Sequence, residues 1–153
     1  LSNKESRKNE LQDSGRWGCF VYSETVAKNE NASPWIDERG IPKWVRDVPG
    51  KHQENKNLCM KRKDDWNNYY NARDTEMLYI NPPDPPRDEG CFIYSNDVAK
   101  YDSNFSDDNG KVQWTRDIEG NQHTDETECL VNRGNDYINY YGADDVKMHF
   151  NSS

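Results

Sequence analysis

Gly18-Cys19-Phe20-Val21-Tyr22-Ser23 returns later in the chain as Gly90-Cys91-Phe92-Ile93-Tyr94-Ser95. Reading outward from this pair, the agreement continues. Val26-Ala27-Lys28 matches Val98-Ala99-Lys100, and Trp44-Val45-Arg46-Asp47 matches Trp114-Thr115-Arg116-Asp117. Asp37 and Gly40 precede the first tryptophan by seven and four residues, as Asp107 and Gly110 precede the second. Gly50 and Gly120 follow, each nine residues before a further cysteine, Cys59 or Cys129. Asn68-Tyr69-Tyr70 then matches Asn139-Tyr140-Tyr141, and Met77 matches Met148. The alignment needs a two-residue gap after Lys28 and one extra residue between Cys129 and Tyr140. So many ordered matches identify a duplication. The chain divides into an N-terminal tail over 1–17, a module over 18–80, a linker over 81–89 and a second module over 90–153.

Composition bears on how such modules hold together. Of 153 residues, 32% are hydrophobic, and the net charge is −8. Leu, Ile, Val and Phe together number 23, a level usually seen in disordered chains. The 18 aromatic residues argue for folding, but too little aliphatic material remains for one large core. No apolar run approaches the ~18 residues of a membrane span. Modules of this size are marginal without a covalent staple. Four cysteines allow three pairings. Duplication selects Cys19–Cys59 and Cys91–Cys129, because each unit folded before it was copied. Such staples imply an oxidising compartment, and hence a secreted, extracellular protein. Leu1 is not a natural start residue, and no signal peptide is visible, so the chain reads as mature or trimmed. The sequons at Asn31, Asn104 and Asn151 are candidate glycosylation sites.

The segments Cys19–Tyr22, Lys43–Arg46, Glu76–Ile80, Cys91–Tyr94 and Lys111–Trp114 read as strands, separated by Gly, Pro, Asn and Asp clusters. No window carries a long 3.6-residue apolar period. The expected fold class is therefore all-β. Four prolines between Asn81 and Glu89 favour a semi-rigid extended spacer. Residues 1–15 lack aromatic side chains and balance their charges, so they read as a flexible tail.

Each module runs through a cysteine, a strand, an Asp-x-x-Gly turn, a tryptophan strand, a second cysteine and an aromatic residue, Trp66 or Tyr137. This resembles the complement-control-protein (sushi) module from its first through its third cysteine. The second and fourth cysteines of that family are absent. The resemblance implies the same pairing of cysteines as the duplication does. The Gly-Cys start and the Cys followed by Trp/Tyr-Tyr-Tyr resemble the atypical sushi modules of secreted immunomodulators from a parasitic roundworm. Those proteins include a mimic of transforming growth factor beta and blockers of interleukin-33 or its receptor. The resemblance implies a two-module binder that occludes a host cytokine receptor, the interleukin-33 receptor first and the cytokine itself second. From another class, paired Trp and Tyr beside Asn and Asp suit a carbohydrate-binding lectin.

Catalytic chemistry finds no motif. His52, His123 and His149 stand apart from any nucleophile pattern, so no enzyme activity is expected. Asp102, Asn104, Ser106 and Asp108 alternate like a calcium loop. Asp107 and Gln113 stand where that loop needs Gly and Glu, and a polar surface loop is the better reading. Lys61-Arg62-Lys63 reads as a solvated loop, because Asp64-Asp65 follow at once. No cofactor, metal, nucleic acid or membrane partner is expected, and the chain reads as a monomer. The first module holds ten basic and ten acidic residues, while the second holds five basic and twelve acidic. A basic protein surface is steered toward such a module. Aromatic residues shared by both copies, Tyr69 and Tyr140 included, are assigned to framework packing. Trp17, Trp35, Tyr101 and Phe105 occur in one copy each and are the candidate partner-binding residues.

Overall fold

The computed structural model describes residues 1–117 and 125–152. Contacts divide the chain into two units, Leu1–Asn81 and Pro82–Ser153. Each is built on a three-stranded antiparallel sheet whose central strand is the duplicated Gly-Cys-Phe segment.

In the first unit, β1 (Gly18–Tyr22) lies between β2 (Val45–Arg46) and β3 (Glu76–Ile80). The register pairs Phe20 with Arg46 on one side and with Leu78 on the other. All five residues of β1 are buried, because both faces of the sheet are covered. One face carries Cys19 and Val21 against α2 (Glu24–Glu30) and α3 (Lys56–Tyr70), with Val26, Trp35 and Met77 completing that core. The other face carries Phe20 and Tyr22, which pack with Trp44 and Leu11.

The second unit repeats this plan. There β4 (Gly90–Tyr94) lies between β5 (Thr115–Arg116) and β6 (Lys147–Asn151). Helix α4 (Asn96–Tyr101) stands in the place of α2, and a helix ending in α5 (Gly134–Tyr141) stands in the place of α3. The disulfides Cys19–Cys59 and Cys91–Cys129 join each central strand to that long helix, as the duplication requires.

The short-helix starts explain why Ser23 and Ser95 were copied with the strand. Ser23 Oγ accepts from Val26 N at 3.1 Å and donates to Asp74 Oδ1 at 2.6 Å. Ser95 does the same with Val98 N and Asp145. Each serine caps its helix and ties it to the turn before the last strand; a cap of this kind contributes about 1 kcal/mol. Gly18 and Gly90 precede the buried cysteines with φ of 115° and 127°. A side chain there would also collide with Gln53 and Arg46, or with Arg116.

Three expectations are corrected. The modules are not all-β: helix accounts for 42% of the structure and strand for 19%. The Cys-to-Tyr-Tyr stretch that includes Lys61-Arg62-Lys63 is helical, not a loop. Its inward face is buried Cys59 with half-buried Arg62, Trp66 and Tyr70, spaced three or four apart, and a guanidinium interrupts any apolar period. Secondly, Asn3–Asp13 is no flexible tail. It forms α1, capped by Ser2 and anchored by buried Leu11, with Trp44 Nε1 donating to Lys4 O at 3.0 Å. Thirdly, the proline-rich segment is not a linker separate from the modules: the second unit begins at Pro82, and carbonyls of the segment are bound within it. Trp114 Nε1 donates to Pro83 O at 2.9 Å, and Arg116 donates to Glu89 O at 2.5 Å.

The extra residue between Cys129 and Tyr140 also finds its place. Glu128–Arg133 winds as a π-helix, whose wider turn absorbs one residue without ending the helix. Beyond it Arg133, Asp136, Tyr137 and Tyr141 resume the positions of Arg62, Asp65, Trp66 and Tyr70.

Candidate functional site, an aromatic ladder carried twice

Every module sends a ladder of rings from its core to its surface along the long helix. In the first unit, Trp35 meets Trp66 edge-on at 5.2 Å. Trp66 stacks on Tyr70 at 5.8 Å, and Tyr69 leans edge-on against Tyr70 at 4.9 Å. In the second, Phe105 meets Tyr137 edge-on at 5.9 Å. Tyr137 stacks on Tyr141 at 6.2 Å, and Tyr140 leans against Tyr141 at 4.8 Å. Both outermost rings, Tyr69 and Tyr140, are 82% exposed. Tyr101, 75% exposed, adds a further stacked ring on Tyr141 in the second unit only.

A buried ion pair fixes the base of each ladder. Asp47, which follows β2, is bound by both Arg62 Nε at 2.9 Å and Arg62 Nη2 at 3.1 Å. Asp117 is bound in the same way by Arg133. Both guanidiniums continue to the next ring, lying 5.6 Å from the centre of Trp66 and 5.1 Å from that of Tyr137. The planar fork thus holds the helix to the sheet edge and orients the ladder. In the second unit Tyr137 adds a hydrogen bond from its hydroxyl to Asp117 Oδ1 at 3.2 Å. Burial, and then the negative charge of Asp117, push its phenol up to about 12. Trp66 makes no such bond, and its indole nitrogen is buried without a hydrogen-bond partner.

The ladder of the second unit borders an open cleft of about 650 Å³. Its wall runs from buried Phe105 and Asp117, through Tyr137 and Tyr141, to exposed Tyr140. Asp102 and Asp136 add carboxylates.

Among the residues singled out from sequence, three prove to be core. Trp17, Trp35 and Phe105 are 4%, 8% and 9% exposed, so they are not surface anchors. Trp17 is sealed by the Arg46 guanidinium, 4.8 Å from its ring. Trp35 and Phe105 occupy equivalent places, each two residues before the aspartate of the Asp-x-x-Gly turn; that spacing was the signal for pairing them. Tyr101 alone of the four is exposed. Tyr69 and Tyr140, which recurrence in both copies assigns to framework packing, are instead at the surface.

The other candidates fall as follows. Asn31 caps α2 in the left-handed region, and Asn104 begins no helix; both are exposed. Asn151 is engaged: its amide nitrogen donates to Pro86 O at 2.6 Å and to Asp88 O at 2.7 Å, so a glycan there would displace both bonds. In the calcium-like loop, Asp102 accepts from Asn104 N at 3.0 Å, and Asp107 accepts from Asn109 N and Lys111 N. These carboxylates serve turns. Arg62 of the basic run is bound to Asp47. His52 reaches Val48 O at 2.7 Å and His149 reaches Asn151 at 2.9 Å, while His123 lies outside the described residues, as does Gly120. Among the described residues no group of three or more His, Cys, Asp or Glu side chains is placed to hold a metal ion. No protein-family model, no characterised protein and no solved structure matches the chain.

Proposed function

We propose that this is a secreted, non-enzymatic binding protein that sterically blocks a host cytokine receptor, with the interleukin-33 receptor as the target. The target rests on the likeness of the Gly-Cys and Cys-to-Tyr-Tyr motifs to those of the roundworm immunomodulators. It does not rest on the fold. The observation that carries the binding reading is the exposed tyrosine ending the same ladder in both copies. A ring held on a rigid helix loses little conformational entropy on docking, and tyrosine is enriched among residues that dominate binding energy. Two disulfides fit an oxidising compartment, and among the described residues no helix is long and apolar enough to cross a membrane.

Surface plasmon resonance against the receptor ectodomain tests this. Tyr69→Ala and Tyr140→Ala are each expected to weaken binding by more than ~1 kcal/mol, with the melting temperature unchanged. Binding to the cytokine alone would move the target to that partner. Release by a simple sugar would favour the lectin reading instead, and no binding to either protein partner at micromolar concentration would remove the interleukin-33 assignment.

A further inference from the structure

The cleft of the second unit has chemistry that generic tyrosine contacts do not need. Three carboxylates line it, Asp102, Asp117 and Asp136, with two guanidiniums, Arg116 and Arg133. Both guanidiniums are already committed. Arg133 binds Asp117 and Asp136, while Arg116 donates to Glu89 O and lies 4.7 Å from the Phe92 ring. Asp117 is taken up by Arg133 and Tyr137. Asp102 accepts only the Asn104 amide through its Oδ1, and Asp136 is well exposed at 62% of its side chain. Residual charge in the cleft is therefore negative.

Beside these carboxylates stand aromatic faces. Tyr101, Tyr141 and Tyr137 form a column of nearly parallel rings, 28° and 14° apart at 6.3 and 6.2 Å. Burial first, and then the negative charges of Asp102 and Asp117, push the Tyr141 and Tyr137 phenols above their usual range. Tyr141 is covered on both faces within that column, and Tyr137 lies between Tyr141 and the Arg133 guanidinium. The ring open to the cleft is therefore Tyr140, 82% exposed. A tyrosine face attracts a cation, and guanidinium stacks on it with little loss of hydration. The surrounding module, with twelve acidic and five basic residues, supplies a field of the same sign.

We propose that this cleft receives a cationic side chain, an arginine in preference to a lysine, presented by the partner protein, with its charge between Asp102 and Asp136 and its plane against the exposed Tyr140 ring. The inference deepens the binding reading above and rests on it for the existence of a partner, but not on which receptor that partner is.

The test needs no partner. The full chain is titrated with N-acetyl-arginine amide, and the aromatic proton resonances of Tyr137, Tyr140 and Tyr141 are followed by NMR. N-acetyl-citrulline amide, the neutral isostere, and N-acetylglucosamine are run beside it. A saturable shift with arginine, absent with citrulline, is the expected result. The double variant Asp102→Asn with Asp136→Asn keeps the local capping geometry and should weaken arginine about tenfold, as two partly exposed charges contribute roughly 1.4 kcal/mol together. Near-UV circular dichroism confirms that the variant is folded. Equal shifts with citrulline, a response to the sugar alone, or an unchanged affinity in the folded variant would each overturn the proposal. Failure here with receptor binding intact leaves the blocker reading standing. Success here without receptor binding removes only the receptor.

Discussion

The two units share a plan and differ in what lies on the outer face of the sheet. In the first, α1 covers Phe20, Tyr22 and Trp44. In the second, a proline-rich extended segment takes that place and offers Pro83 O to Trp114. The elements retained are those that cross from one chain segment to another: the disulfide, the Asp–Arg fork and the serine bound to a distant aspartate. The elements that changed are coverings. Long-range ties therefore define this fold, and secondary structure on its outer face is negotiable.

The disulfides offer the largest effect by which to break that comparison. Cys59→Ser and Cys129→Ser each open a loop of about 40 residues, and chain entropy puts the loss near 4 kcal/mol. Each variant is expected to unfold its own unit in a calorimetric scan while the other unit keeps its transition. Equal losses would show that the different outer coverings contribute little to what the staple must offset.

Trp44→Phe and Trp114→Phe probe the coverings directly. Each removes one indole–carbonyl bond and retains an aromatic ring, a loss of about 1 kcal/mol. Hydrogen exchange should rise across α1 in the first variant. In the second it should rise at Asp84, Arg87, Asp88 and Glu89, since Pro82, Pro83, Pro85 and Pro86 carry no amide proton. No change in exchange over 3–13 would mean that Leu11, the Arg7–Asp37 ion pair and the Asn3 hydrogen bonds to Tyr22 and Pro42 hold the helix without the indole.

The smallest effect is the sharpest comparison. Deleting exposed Val131 removes the residue that widens the helix and should convert Glu128–Arg133 to the α form of the first unit. Stability is expected to move by less than ~1 kcal/mol, because Arg133 and the ladder keep their register from the C-terminal side. Loss of the second unit's transition would instead show that the wide turn is required there.

Much of this could be read in advance. The duplication, its two sulfur bridges and the five-residue strands around Cys19, Cys91 and Met77, the first two of them wholly buried, follow from repeated residues and strand-forming side chains. The helices did not, for a physical reason: α3 turns inward buried Cys59 and half-buried Arg62, Trp66 and Tyr70, so its inward face is one sulfur, one charge and two rings, with no aliphatic stripe to count. Signals were present at the ends. Ser2 with Glu5 three residues on opens α1, Asn55 opens α3, and Asn71 and Gly142 close their helices in the left-handed region. Exposure runs against one expectation, that shared residues are structural and private ones functional. Trp35 and Phe105 are core, while Tyr69 and Tyr140 face solvent. Duplication preserves whatever both copies use, and that includes contacts to others.

The indole grip on Lys4 O and Pro83 O has one more implication. Every residue, proline included, owns a main-chain oxygen, so the clasp is blind to the identity of what it holds. A unit built this way can be spliced behind unrelated leaders without redesign, and gene duplication followed by drift of the connecting stretch becomes an easy route to new tandem arrays.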